Sequence, residues 1–358
     1  MRPVNLHEYE EAARECLPQM VFDYYHGGAE DELTVHENRL GWQALRLRPR
    51  VLVDVATRSL ETTVLGQRIA FPLLTAPCAF NSLAHADGEC AVARATAAAG
   101  IVQIVSTAGT HTLEEVAAAA PDAPRWFQLY CYRDRGVTRS LVDRAVAAGY
   151  RALCLTVDAP LVGRRDRDTR NCFGLPPGMT WKNLESVGLE RMDAGTEGSA
   201  LVRYIAEIWD ASLTWEAIAW LRSISPLPLA VKGILTAEDA RLAVEHGVHA
   251  IVVSNHGGRQ LDGTLPTSEA LGEVVDAVQG RAEILVDGGI RRGSDILKAL
   301  ALGARAALVG RPYLWALAVN GQAGVEHMLG LLREELDLAM ALAGRPTIAS
   351  IDRSLLAP

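Results

Sequence analysis

The stretch Ala250-Ile251-Val252-Val253-Ser254-Asn255-His256-Gly257-Gly258-Arg259-Gln260-Leu261-Asp262-Gly263 passes from a hydrophobic, mostly β-branched run straight into a polar, glycine-bearing cluster. A short apolar run bounded by turn formers reads as a buried strand, so the polar cluster sits where that strand ends. Beyond it, residues 268–279 have helical composition. The same unit recurs along the chain. Apolar runs at 71–77, 101–107, 125–130, 152–158, 228–233, 250–255, 283–289 and 306–311 make eight, separated by helix-compatible segments such as 87–99, 113–120, 139–148, 237–246, 268–279 and 294–302. Strictly alternating strands and helices require parallel strands with crossover connections, and eight such units close into a barrel. The rival is a doubly wound open sheet. It favours a glycine-rich dinucleotide turn after the first strand, and Ala76-Pro77-Cys78-Ala79-Phe80 is not one. The expectation is therefore an α/β fold, a (β/α)8 TIM barrel over residues 71–342 within one 358-residue domain, carrying an N-terminal extension, residues 1–70.

In that extension residues 5–48 look helical, with Leu6, Tyr9, Ala13 and Leu17, then Met20, Val21 and Tyr24, on apolar faces and Gly27-Gly28 breaking the run. One long interruption, residues 159 to about 211, follows the fourth strand and holds Arg164-Arg165-Asp166-Arg167. A loop that long in a compact domain serves as a lid or a functional excursion. It lacks a long apolar run, so it is not read as a membrane segment.

Composition narrows the chemistry. A net charge of −8 argues against a nucleic-acid partner, which requires a basic face. The six cysteines show no CxxC spacing, so neither a metal site nor a disulfide framework is indicated, and they fit a reducing cytoplasm. The chain reaches charged residues within its first eight and carries no apolar stretch of spanning length, which predicts a cytoplasmic protein without a membrane role.

Barrels build their chemistry at the carboxyl ends of the strands. At one such end His256 offers a proton acceptor that switches near neutral pH, and Arg259 offers a fork matched to a carboxylate, which together suggest proton transfer on an anionic substrate. Taken alone, the stretch equally describes a polar loop in which His256 caps a helix and Arg259 is solvated. Asp287-Gly288-Gly289-Ile290-Arg291 and Gly310-Arg311 close the last two strands, where backbone N–H groups and a helix N-terminus commonly hold a phosphate. Glycines that merely turn the chain are the plainer account. Lys232, following Leu229-Ala230-Val231, is costly to bury without an anionic partner.

With these residues in place the sequence resembles the FMN-dependent 2-hydroxy-acid oxidase and dehydrogenase family, which includes glycolate oxidase, lactate oxidase and mandelate dehydrogenase. The likeness rests on Ser254 to Gly263 together with Phe22-Asp23-Tyr24-Tyr25, Gly28-Ala29-Glu30-Asp31, Gln128-Leu129-Tyr130, Thr156-Val157-Asp158, Gly163-Arg164-Arg165 and Val231-Lys232-Gly233. It implies FMN as cofactor, a small 2-hydroxy acid and O2 as partners, and a homo-oligomer, tetramer or octamer. It makes His256 the group that takes the substrate's α-proton, or in a hydride mechanism the hydroxyl proton, with Asp158 orienting it. Arg165 and Arg259 would hold the substrate carboxylate, Tyr24 would hydrogen-bond it, and Tyr130 would lie near the hydroxyl. Lys232 would sit by the flavin N1/C2 carbonyl. Pro77, Ala79, Ser106, Gln128, Thr156 and Ser254 would contact the flavin, while Asp287, Gly289, Arg291, Gly310 and Arg311 would hold ribityl and phosphate groups. In isolation Tyr24 and Tyr130 also fit a core with satisfied hydroxyls, Asp158 a turn cap, and Arg164 a solvated surface position.

One departure bears on the substrate. Where glycolate oxidase has Ser-Ser-Trp, this chain reads Ser106-Thr107-Ala108-Gly109, so an indole gives way to a methyl and Phe80 and Phe173 are expected to wall a larger side chain. The resemblance thus implies oxidation of an L-2-hydroxy acid bigger than glycolate, mandelate-like or longer or branched, with O2 reduced to H2O2. A dehydrogenase using a quinone or another carrier is the alternative. A decarboxylating monooxygenase, suggested by Ala79 beside the flavin, stands third. A phosphate-binding isomerase or flavin binder would account for residues 287–311 but not for His256, Asp158 and the arginines.

Overall fold

The computed structural model describes residues 2–192 and 198–357. Two three-residue strands, β1 (Thr62–Val64) and β2 (Gln67–Ile69), pair antiparallel ahead of eight parallel ones. These are β3 (Leu73–Thr75), β4 (Val102–Ser106), β5 (Arg125–Leu129), β6 (Ala152–Thr156), β7 (Leu229–Ile234), β8 (Ala250–Val253), β9 (Glu283–Val286) and β10 (Ala306–Val309). They close in the order β10-β3-β4-β5-β6-β7-β8-β9, with β10 bonded to β3 on one side and β9 on the other. Closure excludes the open-sheet rival, and each expected apolar run contains one strand.

Side chains alternate along a strand, so one pleat face of each points into the barrel. Leu74, Ile104, Trp126, Cys154, Ala230, Val252, Leu285 and Leu308 form one apolar cluster there. Two residues further along each strand the inward positions are Ala76, Ser106, Gln128, Thr156, Lys232, Ser254, Asp287 and Gly310. The interior therefore turns from apolar to polar and small in a single step, and it does so at the carboxyl end.

The opposite end is closed by the β1–β2 hairpin, which the sequence reading leaves unassigned. Its Val64 and Ile69 join the interior cluster, Leu65 N donates to Glu283 Oε2 at 2.8 Å and Trp126 Nε1 to Gln67 Oε1 at 3.2 Å.

The extension forms helices α1 (Leu6–Cys16), α2 (Gln19–His26) and α3 (Leu33–Ala44), broken at Gly27-Gly28 as expected. It packs on the carboxyl mouth. Asn38 and Asn255 exchange amide hydrogen bonds at 2.9 and 2.8 Å, and Trp42 Nε1 donates to the Gly288 carbonyl at 2.7 Å. The interruption after β6 holds a short helix (Asp166–Arg170), a 3-10 turn (Lys182–Val187) and a helix (Ala200–Ile208); residues 193–197 lie outside the described residues. The helix expected at 139–148 begins earlier, at Arg135–Ala147, because the Asp134 carboxylate accepts from Gly136 N at 2.7 Å and caps it there. No described helix is long and apolar enough to cross a membrane.

Because Ile69 is 1% exposed inside the barrel's lower end, Ile69→Ala should lower stability by about 2–5 kcal/mol, the usual cost of emptying such a site. Chemical denaturation measures it, and an unchanged midpoint would show that the hairpin does not carry the lower core.

Candidate active site

Past β8 the backbone runs through three consecutive left-handed residues, His256 (φ 57), Gly257 (φ 64) and Gly258 (φ 72). Glycine adopts this freely, whereas a histidine there costs on the order of 1–2 kcal/mol. Local bonds hold it. Ser254 Oγ accepts from His256 N at 3.0 Å, and the Asn255 carbonyl accepts from Gly258 N at 3.0 Å. A Cβ at Gly258 would lie 2.6 Å from Val35 N, so α3 presses directly on the turn.

The turn brings His256 Nδ1 to 2.8 Å from Asp158 Oδ1, just beyond the end of β6. Gly233 makes the space, since a Cβ there would sit 2.6 Å from both Cβ and Cγ of Asp158. Burial depresses the His256 pKa; Asp158 opposes this and Lys232 adds to it. The Asp158 carboxyl is raised by burial but more strongly lowered by His256 and Lys232, and ends below its ordinary value. Near neutral pH the pair is therefore an ionised carboxylate accepting from Nδ1–H of a neutral imidazole, which leaves the Nε2 lone pair as a proton acceptor.

Beside it lie two guanidinium groups. Arg259 Nη1 donates to the carbonyls of Tyr24 (2.6 Å) and Gly27 (2.8 Å) at the end of α2, and its Cζ stands 5.1 Å from the Tyr24 ring centroid. Arg165 is buried, with Nε donating to the Arg259 carbonyl at 3.4 Å and Nη1 lying 3.5 Å from Asp168 Oδ2. Burial first, then repulsion from Arg259, pulls Arg165 down to about 10. An incoming carboxylate relieves that repulsion. Tyr24 stacks on Phe173 at 4.1 Å and Tyr130 on Trp209 at 3.8 Å, and both tyrosines line the cleft. Arg164 is exposed and pairs with Asp166, a surface position.

The polar layer of the barrel forms the other side. Lys232 Nζ donates to Ser254 Oγ at 2.9 Å and lies 3.3 Å from Asp287 Oδ2. Burial opposes its charge, but Asp287 and Asp158 outweigh it and hold the ammonium protonated. Gln128 is fixed by Ser106 Oγ and Thr107 N on its Oε1 (3.3 and 3.2 Å) and by donating to Thr156 Oγ1 at 3.0 Å. Gln128, Thr156 and Ser254 are thus a supporting layer, while Pro77, Ala79, Ser106, Lys232, Asp287, Gly289, Arg291, Gly310 and Arg311 line the cleft itself. Arg311 has a structural tie as well. Its guanidinium donates to the carbonyls of Tyr25, His26, Gly27 and Gly257, tying α2 to the His256 turn.

These residues fit FMN. Asp287 Oδ1 and Arg291 Nε are buried without a protein partner among the described residues, an acceptor for hydroxyl groups and a donor for phosphate. Gly288 and Gly289 (φ 92 and 82) carry the backbone past that point without side chains, and Gly310 caps the start of the helix Arg311–Leu342, whose N-terminus suits an anion. Arg311 lines the same cleft and keeps a further N–H on each terminal nitrogen, so it stands with Arg291 and the backbone N–H groups as a donor available to an anion.

The cleft, about 1120 Å³ including its open mouth, has walls the sequence reading only partly named. Ala108 and Phe80 line it; Phe173 does not, and instead backs Tyr24 from a fully buried position. Val162, Trp181, Leu201, Ile205 and Trp209, all from the excursion after β6, complete the apolar side. The i, i+4 spacing of Leu201 and Ile205 on an amphipathic helix was the available signal.

Comparison with known proteins agrees with this geometry. The family model described as FMN-dependent dehydrogenase matches residues 13–358. The chain is 55% identical to "L-lactate oxidase" of Nostoc sp. over 99% of its length and 98% of that protein's. It is 49% identical to "Glycolate oxidase" of Spinacia oleracea, covering 100% of this chain and 96% of the other. Among solved structures, mandelate oxidase with (S)-4-hydroxymandelic acid superposes with a TM-score of 0.93 at 45% identity, covering 98% of this chain and 97% of that one.

Arg165→Lys keeps the charge but loses the planar fork. Binding of a small carboxylate such as oxalate to the FMN-loaded protein, followed by the flavin absorbance, should weaken roughly ten- to a hundredfold, the worth of a charge-assisted hydrogen bond. Unchanged affinity would place Arg165 outside the anion site.

Proposed function

Because the chain belongs to the FMN-dependent dehydrogenase family, we propose that it oxidises an L-2-hydroxy acid to the 2-oxo acid, with O2 as terminal acceptor released as H2O2. The observation that carries this reading is His256 Nδ1 standing 2.8 Å from Asp158 Oδ1 in a cleft that the guanidinium groups of Arg165 and Arg259 also line.

FMN, when bound, accepts the two electrons. Pro77, Ala79, Ser106, Lys232, Asp287, Gly289, Arg291, Gly310 and Arg311 would hold it, over the support of Gln128, Thr156 and Ser254. Arg165 and Arg259 bind the substrate carboxylate and so fix the neighbouring carbon, with Tyr24 bonding to the same carboxylate and Tyr130 to the hydroxyl. His256 Nε2 takes a proton, from the α-carbon or from the hydroxyl; both routes need the same base in the same place. Asp158 stays ionised and stabilises the imidazolium that forms, rather than taking the proton itself. Lys232, held cationic in the cleft, would offer positive charge to the bound flavin.

Ala108 and the apolar wall of Val162, Leu201 and Ile205 favour an acid with a side chain. The relatives named as lactate and mandelate oxidases support both that class and oxygen as acceptor. The alternative, electron delivery to a quinone or other carrier, draws on the likeness to a chimera of (S)-mandelate dehydrogenase, TM-score 0.91 at 42% identity. We read residues 1–358 as one catalytic unit in the cytoplasm, the six scattered cysteines without a CxxC spacing agreeing with a reducing compartment. A homo-oligomer, tetramer or octamer, follows from the family resemblance, and the exposed Val51 and Leu52 offer apolar surface to a neighbouring subunit.

His256→Ala should retain FMN and slow anaerobic flavin reduction by roughly 10²–10⁴-fold, the range of lost acid–base catalysis. The base works unprotonated and its pKa lies below the ordinary 6.5, so the acid limb of kcat/KM should fall below pH 6.5; a limb above that value would contradict the assignment. Native protein should use (S)-mandelate or a branched acid more efficiently than glycolate by about one to two decades, the selectivity that burying a side chain worth roughly 1.5–3 kcal/mol provides. Ala108→Trp should move preference back toward glycolate, and a glycolate preference indifferent to this substitution would remove position 108 from specificity.

A further inference from the structure

Glu89, the second residue of the helix Gly88–Ala99, is 1% exposed and does not line the cleft. Its Oε1 accepts from Asn81 N at 3.1 Å and from Thr110 N at 3.0 Å, and its Oε2 accepts from Thr110 Oγ1 at 2.8 Å and lies 3.0 Å from His111 Nδ1. Such donors allow a carboxylate to remain charged in a buried place, where without them it would be strongly disfavoured.

The donors come from two separate loops. Asn81 belongs to the loop after β3 that carries Ala79 and Phe80, while Thr110 and His111 belong to the loop after β4 that carries Ala108. Those loops touch at the pocket, where Phe80 N donates to the Ala108 carbonyl at 3.0 Å. Phe80 is itself held at a left-handed φ of 57, with its carbonyl accepting from Tyr25 Oη at 2.7 Å. Only the contacts on its two sides keep a phenylalanine in that conformation.

We infer that Glu89 is a positioning residue for substrate selectivity: by bonding both loops at once it sets Phe80 against Ala108 and thereby fixes the shape of the side-chain pocket. The inference rests on the hydroxy-acid reading above. Glycolate, which has hydrogen where other acids carry a side chain, requires the arginines and His256 but not this wall. It therefore serves as an internal reference. A merely structural role for Glu89 would lower the amount of active enzyme equally for every acid and leave the ratio between acids unmoved.

The test measures kcat/KM per FMN-loaded protein for glycolate, L-lactate and (S)-mandelate. In Glu89→Ala the ratio of the best side-chain-bearing acid to glycolate should fall roughly tenfold, the low end of what a methylene's misfit costs in a hydrophobic pocket. Thr110→Val, which removes only the hydroxyl bridging Glu89 and Ser82, should shift the ratio less and in the same direction. Glu89→Gln, whose amide oxygen still reaches both N–H groups, should restore most of the native ratio. Should Glu89→Ala fail to hold FMN, Thr110→Val decides. A ratio within twofold of native in the FMN-loaded variants overturns the inference alone, whereas failure of every acid to reduce the native flavin overturns both it and the reading beneath it.

Discussion

A carboxylate is hard to keep ionised inside a protein, and the architecture of the mouth follows from keeping Asp158 so. Its charge needs His256 on one side and Lys232 nearby, and its side chain needs the space that Gly233 leaves open. Gln260 adds a further tie, donating from one amide to the carbonyls of Asp158 and Leu161 at 3.0 and 2.8 Å. The left-handed turn at 256–258 is thus fastened to the end of β6 and to the start of the excursion at once. Strain in the turn is tolerable because its neighbours over-determine it.

The molecule carries net negative charge, yet this cleft gathers Arg165, Arg259, Arg311, Arg291 and Lys232. Net charge governs how the protein meets other macromolecules; affinity for a small anion is decided within a Debye length of the site, about 8–10 Å. The arginines differ in employment. Arg311 and one nitrogen of Arg259 donate to backbone carbonyls at the end of α2, which turns an N-terminal extension into a wall of the catalytic cleft. Arg165, by contrast, has only long contacts, to Asp168 and to the Arg259 carbonyl, and is the guanidinium best placed to exchange them for a ligand.

The barrel was legible because each strand is a short, largely apolar run, and the site because polar residues stand at the next inward position at the carboxyl end. The β1–β2 hairpin was not, since three-residue strands are too short for alternation to register. Phe173 read as a pocket wall because an aromatic in a lid segment suggests one, but its ring lies flat behind Tyr24 and its effect on the cleft is indirect. The spacing of Leu201 and Ile205 marks an apolar helix face but not what that face covers, and Trp181 has no local signature; both placements depend on how the excursion folds back over the mouth. For Arg311 the residue type carried the cofactor-side assignment, while its bonds to the carbonyls of α2 depend on how the extension folds over the mouth.

The source of the cleft's parts has an evolutionary meaning. The residues proposed for proton handling and flavin contacts come from the ends of strands spread across the whole barrel, whereas Val162, Trp181, Leu201, Ile205 and Trp209 of the apolar wall come from one contiguous segment between β6 and the helix Glu216–Ile224. A single recombination event spanning residues 159–211 would exchange that wall as a cassette. Such an exchange would leave His256 and Asp158 in place while carrying Arg165 along with the wall.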